Sequence, residues 1–160
     1  MRKGLLGLWV FVCLTSTAAI AAKDVPDCIG AGKPIPIDNE QVVEWSDTTP
    51  NQFQARGHVE GEISNLFEDQ TGHAHFAIRI GKKTDDEVEI IYNEGFGKLP
   101  ELQVGMAVEA CGDYITATAK AGHYPPSPVG ALIHWVHKSD SPKKHPSGFL
   151  IINDQLYGQR

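Results

Sequence analysis

Phe53-Gln54-Ala55-Arg56-Gly57-His58-Val59-Glu60-Gly61-Glu62-Ile63-Ser64 alternates without a break. Phe53, Ala55, Gly57, Val59, Gly61 and Ile63 fall on one side, and the polar residues fall on the other. Successive side chains of a strand point to opposite faces, so this period of two reads as a half-buried strand. Its glycines predict strong bending. Working outward, residues 73–80 give a second strand, with Phe76, Ile78 and Ile80 inward and His73, His75, Ala77 and Arg79 on the opposite, exterior face. Residues 88–92 give a third, 104–115 a fourth opened by a Gly105 bend and interrupted by Gly112, and 131–137 a fifth. Residues 149–152 and 155–157 form a closing hairpin around Asn153-Asp154. The longest crossing, residues 93–102, comes after the third strand. The chain is therefore expected to be mainly β: a small five-stranded OB-like Greek-key barrel with a short N-terminal helix and a C-terminal hairpin. A small open sandwich is the competing architecture.

Before the barrel, Pro and Gly make residues 23–36 an extended lead-in. Asp38 is placed to cap a short helix through Val42, Val43 and Trp45, which Thr48-Thr49-Pro50-Asn51 ends. This helix is expected to pack on the barrel as a lid. At the start of the chain, Met1-Arg2-Lys3 is basic, Leu5 to Ile20 is largely apolar and uncharged, and Ala19-Ile20-Ala21 has small residues at cleavage spacing. That order is a secretory signal peptide, too short for a comfortable membrane span. Val12 stands before Cys13 where lipidation wants a small residue, so a lipoprotein is not expected. The expected organisation is a signal peptide at 1–21, a lead-in and short helix at 22–52, and the barrel at 53–160, in a periplasmic or secreted protein.

Removing Arg2 and Lys3 with the signal leaves 12 basic against 20 acidic residues, a net charge of −8 with neutral histidines. Phosphate-backbone binding draws on many Lys and Arg contacts, so a broad nucleic-acid track is disfavoured. Nothing after the signal is apolar enough to suggest a transmembrane segment. Cys28 and Cys111 remain, an even pair in an oxidising compartment, and read first as a disulfide.

Histidine is the informative residue, with seven in 160 positions. His73 and His75 share a strand face at a spacing able to share a metal ion, although solvated histidines are the commoner meaning of so short a motif. His134 and His137 would point apart on a continuous strand and together only if the strand stops near Trp135. His145 lies on the loop of residues 139–148 with Asp140, which could orient an imidazole or bind metal through oxygen. Lys138, Lys143 and Lys144 make that loop locally basic and open to an anionic ligand, against the plainer reading of a solvated charge cluster.

Several of these residues carry a family likeness. Gly72-His73-Ala74-His75-Phe76, Leu99-Pro100, Gly112-Asp113-Tyr114, Gly130-Ala131-Leu132-Ile133-His134-Trp135-Val136-His137 and His145-Pro146-Ser147-Gly148 resemble an uncharacterised family of small secreted bacterial proteins. That domain-of-unknown-function family shares a Gly-x-x-His-Trp-x-His segment and a later His-Pro-x-Gly. The resemblance covers roughly residues 53–157 and implies a shared site at His73, His134, Trp135, His137, His145 and Gly148, with no activity attached. Lys138 stands where the family usually has a further histidine.

Three functions are compatible with these residues. The first is a histidine-cluster site with His134, His137 and His145 catalytic. His73, His75, His134, His137, His145 and Asp140 would be candidate ligands of a divalent transition metal, zinc foremost, for hydrolysis of a phosphate-containing or other anionic substrate. A metal-free acid–base pair of histidines is its variant. The second is a non-catalytic OB-type module for an oligosaccharide or oligonucleotide, with Trp135, Tyr92, Tyr114 and Tyr124 as stacking candidates and Lys138, Lys143 and Lys144 as anion contacts. For Trp135 the competing expectation is a place in the core. The third is a structural or adaptor protein with pH-sensitive surface histidines.

Overall fold

The structure, a computed structural model, describes residues 25–141 and 143–160. The expected signal peptide at 1–21 lies outside the described residues. The lead-in contains a small hairpin, β1 (Ile29–Gly30) with β2 (Lys33–Pro34), then helix α1 (Asn39–Thr48). Then come β3 (Gln54–Leu66), β4 (His73–Arg79), β5 (Glu87–Asn93), a single 3-10 turn (Glu94–Phe96), β6 (Ala107–Thr116), β7 (Ala131–His134), β8 (Phe149–Ile152) and β9 (Gln155–Tyr157).

The five long or central strands run in the order β3-β4-β5-β7-β6, and β6 pairs again with β3. The sheet therefore closes on itself, as an OB-type barrel and not an open sandwich. All its pairs are antiparallel except β5 with β7, the parallel step expected of this Greek key. β3 belongs to both ends of the closed sheet. Its first part pairs β6 from Gln54↔Ile115 to Glu62↔Ala107, and its last part pairs β4 across a bulge between Ile63 and Asn65. Period-two residues Val59, Ile63, Phe76, Ile78, Ile90 and Ile133 fill the interior. Each fully buried side chain of this size stabilises by roughly 1.5–3 kcal/mol relative to exposure.

Helix α1 is capped as expected: the Asp38 carboxylate accepts from Gln41 N at 3.0 Å, and the Thr49 N–H closes on Trp45 O. Val42 is buried, and Trp45 tilts against Phe53 and Tyr114 with ring centroids 5.9 and 5.3 Å away. The helix closes that end of the barrel. Among the described residues no helix is long and apolar enough to cross a membrane.

Cys28 and Cys111 form a disulfide. It fixes the lead-in to the outside of β6, where Cys28, Cys111 and Phe149 make a second, smaller apolar cluster with Ile35. The bond closes a separation of 83 residues, which removes roughly 4 kcal/mol of unfolded-chain entropy.

Two strand boundaries differ from the sequence reading by three residues, and the others by two or fewer. β6 begins at Ala107, not at Val104, because Val104 and Gly105 form an exposed turn in which Gly105 takes φ 90°. β7 stops at His134, because Trp135 has φ 52°, in the left-handed region that no strand continues through.

Candidate functional site

The site is built where β6 changes partners. β6 pairs β8 through Cys111↔Phe149 and pairs β7 from Asp113↔His134 onward. Gly112 stands at the fork, and the segment Trp135–His137 lies in it. A Cβ on Gly112 would strike the His134 carbonyl, and one on Gly148 would strike the carbonyls of Cys111 and Trp135. Both positions must lack a side chain for three backbone segments to converge. Gly148 N donates to His137 O at 2.7 Å, and Ser139 N donates to Ser147 Oγ at 3.1 Å. The loop carrying His145 is thereby folded back on the end of β7. A bulky aromatic residue held at positive φ is strained, and such strain persists only where the surroundings over-determine it.

The consequence is an unbroken succession of rings. His73 lies 6.0 Å from His134, His134 lies 4.4 Å from Trp135, and Trp135 lies 5.7 Å from His145, all between ring centroids. His145 meets His137 edge-on at 5.1 Å, and His137 stacks on Phe96 at 3.6 Å. β4, the end of β7, the 139–148 loop and the 3-10 turn each contribute. His137 is buried, whereas His73, His134, Trp135, His145 and Phe96 are half-buried.

Hydrogen bonding fixes the tautomers. The Nδ1 of His73 faces Thr71 O at 3.2 Å, that of His137 faces Lys138 O at 2.9 Å, and that of His145 faces Pro146 O at 2.9 Å. A carbonyl only accepts, so each of these Nδ1 atoms donates, and the neutral ring keeps its lone pair on Nε2. His75 joins them differently. Its Nδ1 is 2.8 Å from Glu89 Oε1, a diagonal cross-strand neighbour whose side chain is 5 % exposed. Burial lowers the pKa of His134 to about 4, helped by the neighbouring charges of His73, His137, His75 and His145. Burial also lowers that of His137, with the Lys138 carbonyl acting the other way. Both rings are neutral at pH 7.

Of the residues named from the sequence, His73, His134, Trp135, His137 and His145 come together, and Trp135 stands in the ring row, outside the barrel core. His75 is beside them on the same face of β4. That face is not the open surface expected: Ala77 is fully buried and Glu89 nearly so, because small Ala77 lies between the longer pairs Arg79–Glu87 and His75–Glu89. Lys138, Lys143 and Lys144 are exposed, as is Asp140. Among the described residues no three His, Cys, Asp or Glu are arranged to hold one metal ion. Tyr92 and Tyr114 are no stacking platforms. Both are fully buried, Tyr92 donating to Gly97 O and Tyr114 sharing a hydrogen bond with Thr116. Tyr124 is exposed on the 119–130 loop, outside the ring succession.

Sequence reasoning missed Phe96, Glu89 and Arg56. Glu89 had a signal, as the one carboxylate inside the apolar run Val88-Glu89-Ile90-Ile91-Tyr92. Phe96 had none, since its stacking on His137 depends on the crossing loop. The chain matches no family model, no curated protein and no solved structure.

Proposed function

We propose that the ring row is a recognition surface for an acidic oligosaccharide, on an exported protein that performs no chemistry of its own. The observation that carries this reading is the set of anchored imidazoles. His73, His137 and His145 each spend Nδ1 on a backbone carbonyl and keep Nε2 as an acceptor. Sugar hydroxyls are donors suited to such acceptors. Trp135 lies between the rings of His134 and His145 and is half-buried, and its exposed part would give a sugar ring an apolar contact. Lys138 follows His137, Lys143 and Lys144 precede His145, and these exposed lysines would meet carboxylate or sulfate groups. Membership of the small secreted family that the sequence resembles, and export through residues 1–21, belong to this same reading.

A second reading is hydrolysis of an anionic substrate. It is favoured by the His75–Glu89 pair, in which a buried carboxylate orients an imidazole in the manner of a general base, next to His134, neutral at working pH. Its metal-dependent form would use zinc on His73, His134 and their neighbours, and it would require those side chains to move.

The test is titration of the mature protein with an oligogalacturonate, an oligodeoxynucleotide and zinc, read by calorimetry. Saturable binding of the oligogalacturonate, weakened at least tenfold by Trp135→Ala and by His145→Ala, is the expected result. Binding of the oligodeoxynucleotide alone would replace the ligand class. One equivalent of zinc, lost in both His134→Ala and His145→Ala, would replace recognition with a metal centre.

A further inference from the structure

Arg56 sits where the disulfide strap, β6 and the His145 loop meet. Its side chain is only 9 % exposed. One terminal nitrogen, Nη1, pairs with Asp113 Oδ1 at 2.7 Å. The other, Nη2, lies 3.2 Å from Cys111 Sγ and donates to the carbonyl of Ser147. Asp113 is the direct cross-strand partner of His134. Ser147 holds Ser139 across the loop and precedes Gly148, the residue that lets the loop approach Trp135. A single guanidinium thus touches the carboxylate of the strand partner of His134, the sulfur of the disulfide and the backbone of the loop that carries His145. A buried guanidinium is costly unless its donors are used; here Nη1 and Nη2 are engaged, whereas Nε is buried without a partner among the described residues. Its planar fork suits this bridging as a lysine ammonium does not. Cys28 Sγ lies against the Gly57 carbonyl, next in sequence to Arg56, so the strap also packs on the strand that carries the guanidinium.

We propose that Arg56 is the positioning residue of the ring row and that the Cys28–Cys111 disulfide holds it in place, so that the row is assembled only in the oxidised protein. This inference rests on the loop of residues 139–148 being part of the recognition surface. A dithiol such as dithiothreitol would supply two electrons and two protons, converting the protein disulfide to two thiols while itself closing to a cyclic disulfide. The strap would then be free to leave β6. Arg56 would lose the fixed sulfur against which Nη2 is packed, and Ser147 would lose its charge-assisted donor.

Amide hydrogen exchange tests this without any ligand. Exchange in residues 139–148 is compared with that in β4 and β5 for oxidised protein, dithiothreitol-reduced protein, Arg56→Lys and Arg56→Met. Reduction and both substitutions are expected to speed exchange in the loop by roughly tenfold or more, with β4 and β5 unchanged. Arg56→Lys keeps a cation beside Asp113 and tests bridging alone. It also decides the matter, with the reduced wild type, where Arg56→Met fails to fold. Loop protection equal in oxidised and reduced protein would overturn the proposal, as would loosening that spreads equally to β4 and β5. A loop that loosens on reduction in a protein that binds no oligogalacturonate in either state would leave the coupling standing and remove the recognition reading.

Discussion

Two histidines on different strands show how differently one side chain is used. His58 is on the side of β3 covered by the disulfide strap. Its Nδ1 faces Ile35 O at 3.0 Å, its Nε2 faces Glu109 Oε1 at 2.8 Å, and Phe149 lies edge-on at 5.7 Å. Asp38 N donates to the His58 carbonyl, and Asn39 exchanges two hydrogen bonds with the Glu60 backbone. The His58–Glu109 pair joins β3 to β6, and each of the other polar contacts ties the N-terminal segment down. His134, across the seam, is bordered by the rings of His73 and Trp135 and is held deprotonated by burial. The strap region spends its polar groups on stability. The ring region keeps acceptors free and carries a strained Trp135, the pattern expected where local consistency gives way to function.

The contrast can be broken most strongly at the strap. Cys28→Ser with Cys111→Ser is expected to cost roughly 4 kcal/mol in urea unfolding, the loop-closure entropy of the bond. A loss under about 1 kcal/mol would show that the strap is held mainly by its other contacts. Acid breaks the other side. The folded-state pKa of His134, about 4, lies below its unfolded value of 6.5, so the unfolded chain binds the extra proton first. The stability is therefore complete above pH 6.5 and falls as the pH drops toward 4, by about 3 kcal/mol from this group. His137, shifted the same way, adds to the fall. His134→Gln should flatten the profile of stability against pH in that window, and an unchanged slope would refute the burial of this ring. His58→Leu strands the Glu109 carboxylate and the Ile35 carbonyl and should cost about 1–2 kcal/mol at pH 7. Asp38→Ala removes the helix cap and should cost about 1 kcal/mol. Neither of these two should alter the exchange of residues 139–148, and a change there would erase the distinction between the regions.

The seam also shows how far local pattern carries. The alternation in residues 53–64 and the runs near 76–80 and 88–92 specify strands, because each strand must choose one face for the core. The cap at Asp38, the turn at Asn153-Asp154 and the even cysteine pair were equally readable, as each rests on chemistry within a few residues or on a count. What failed were boundaries and long-range partners. Val104, Met106 and Val108 alternate plausibly as one strand opened by a bend at Gly105, yet Gly105 turns the chain outside the strand, which begins only at Ala107. Tyr92 and Tyr114 carry hydroxyls that suggest a wet surface, but Gly97 O and Thr116 satisfy them inside the barrel.

Periodicity, capping and composition act through neighbours in the chain, and they favoured the barrel over an open sandwich, a helical lid, a Cys28–Cys111 bond over free thiols, and the histidines worth watching. Long-range packing is what puts His73, His134, Trp135, His137 and His145 in one row, ends it at Phe96, sets Glu89 against His75 and lets Arg56 bridge strap and loop. The physical reason is the fork at Gly112. β6 leaves β8 for β7 there, and the backbone approach it permits joins segments far apart in the chain, which no local pattern of residues records.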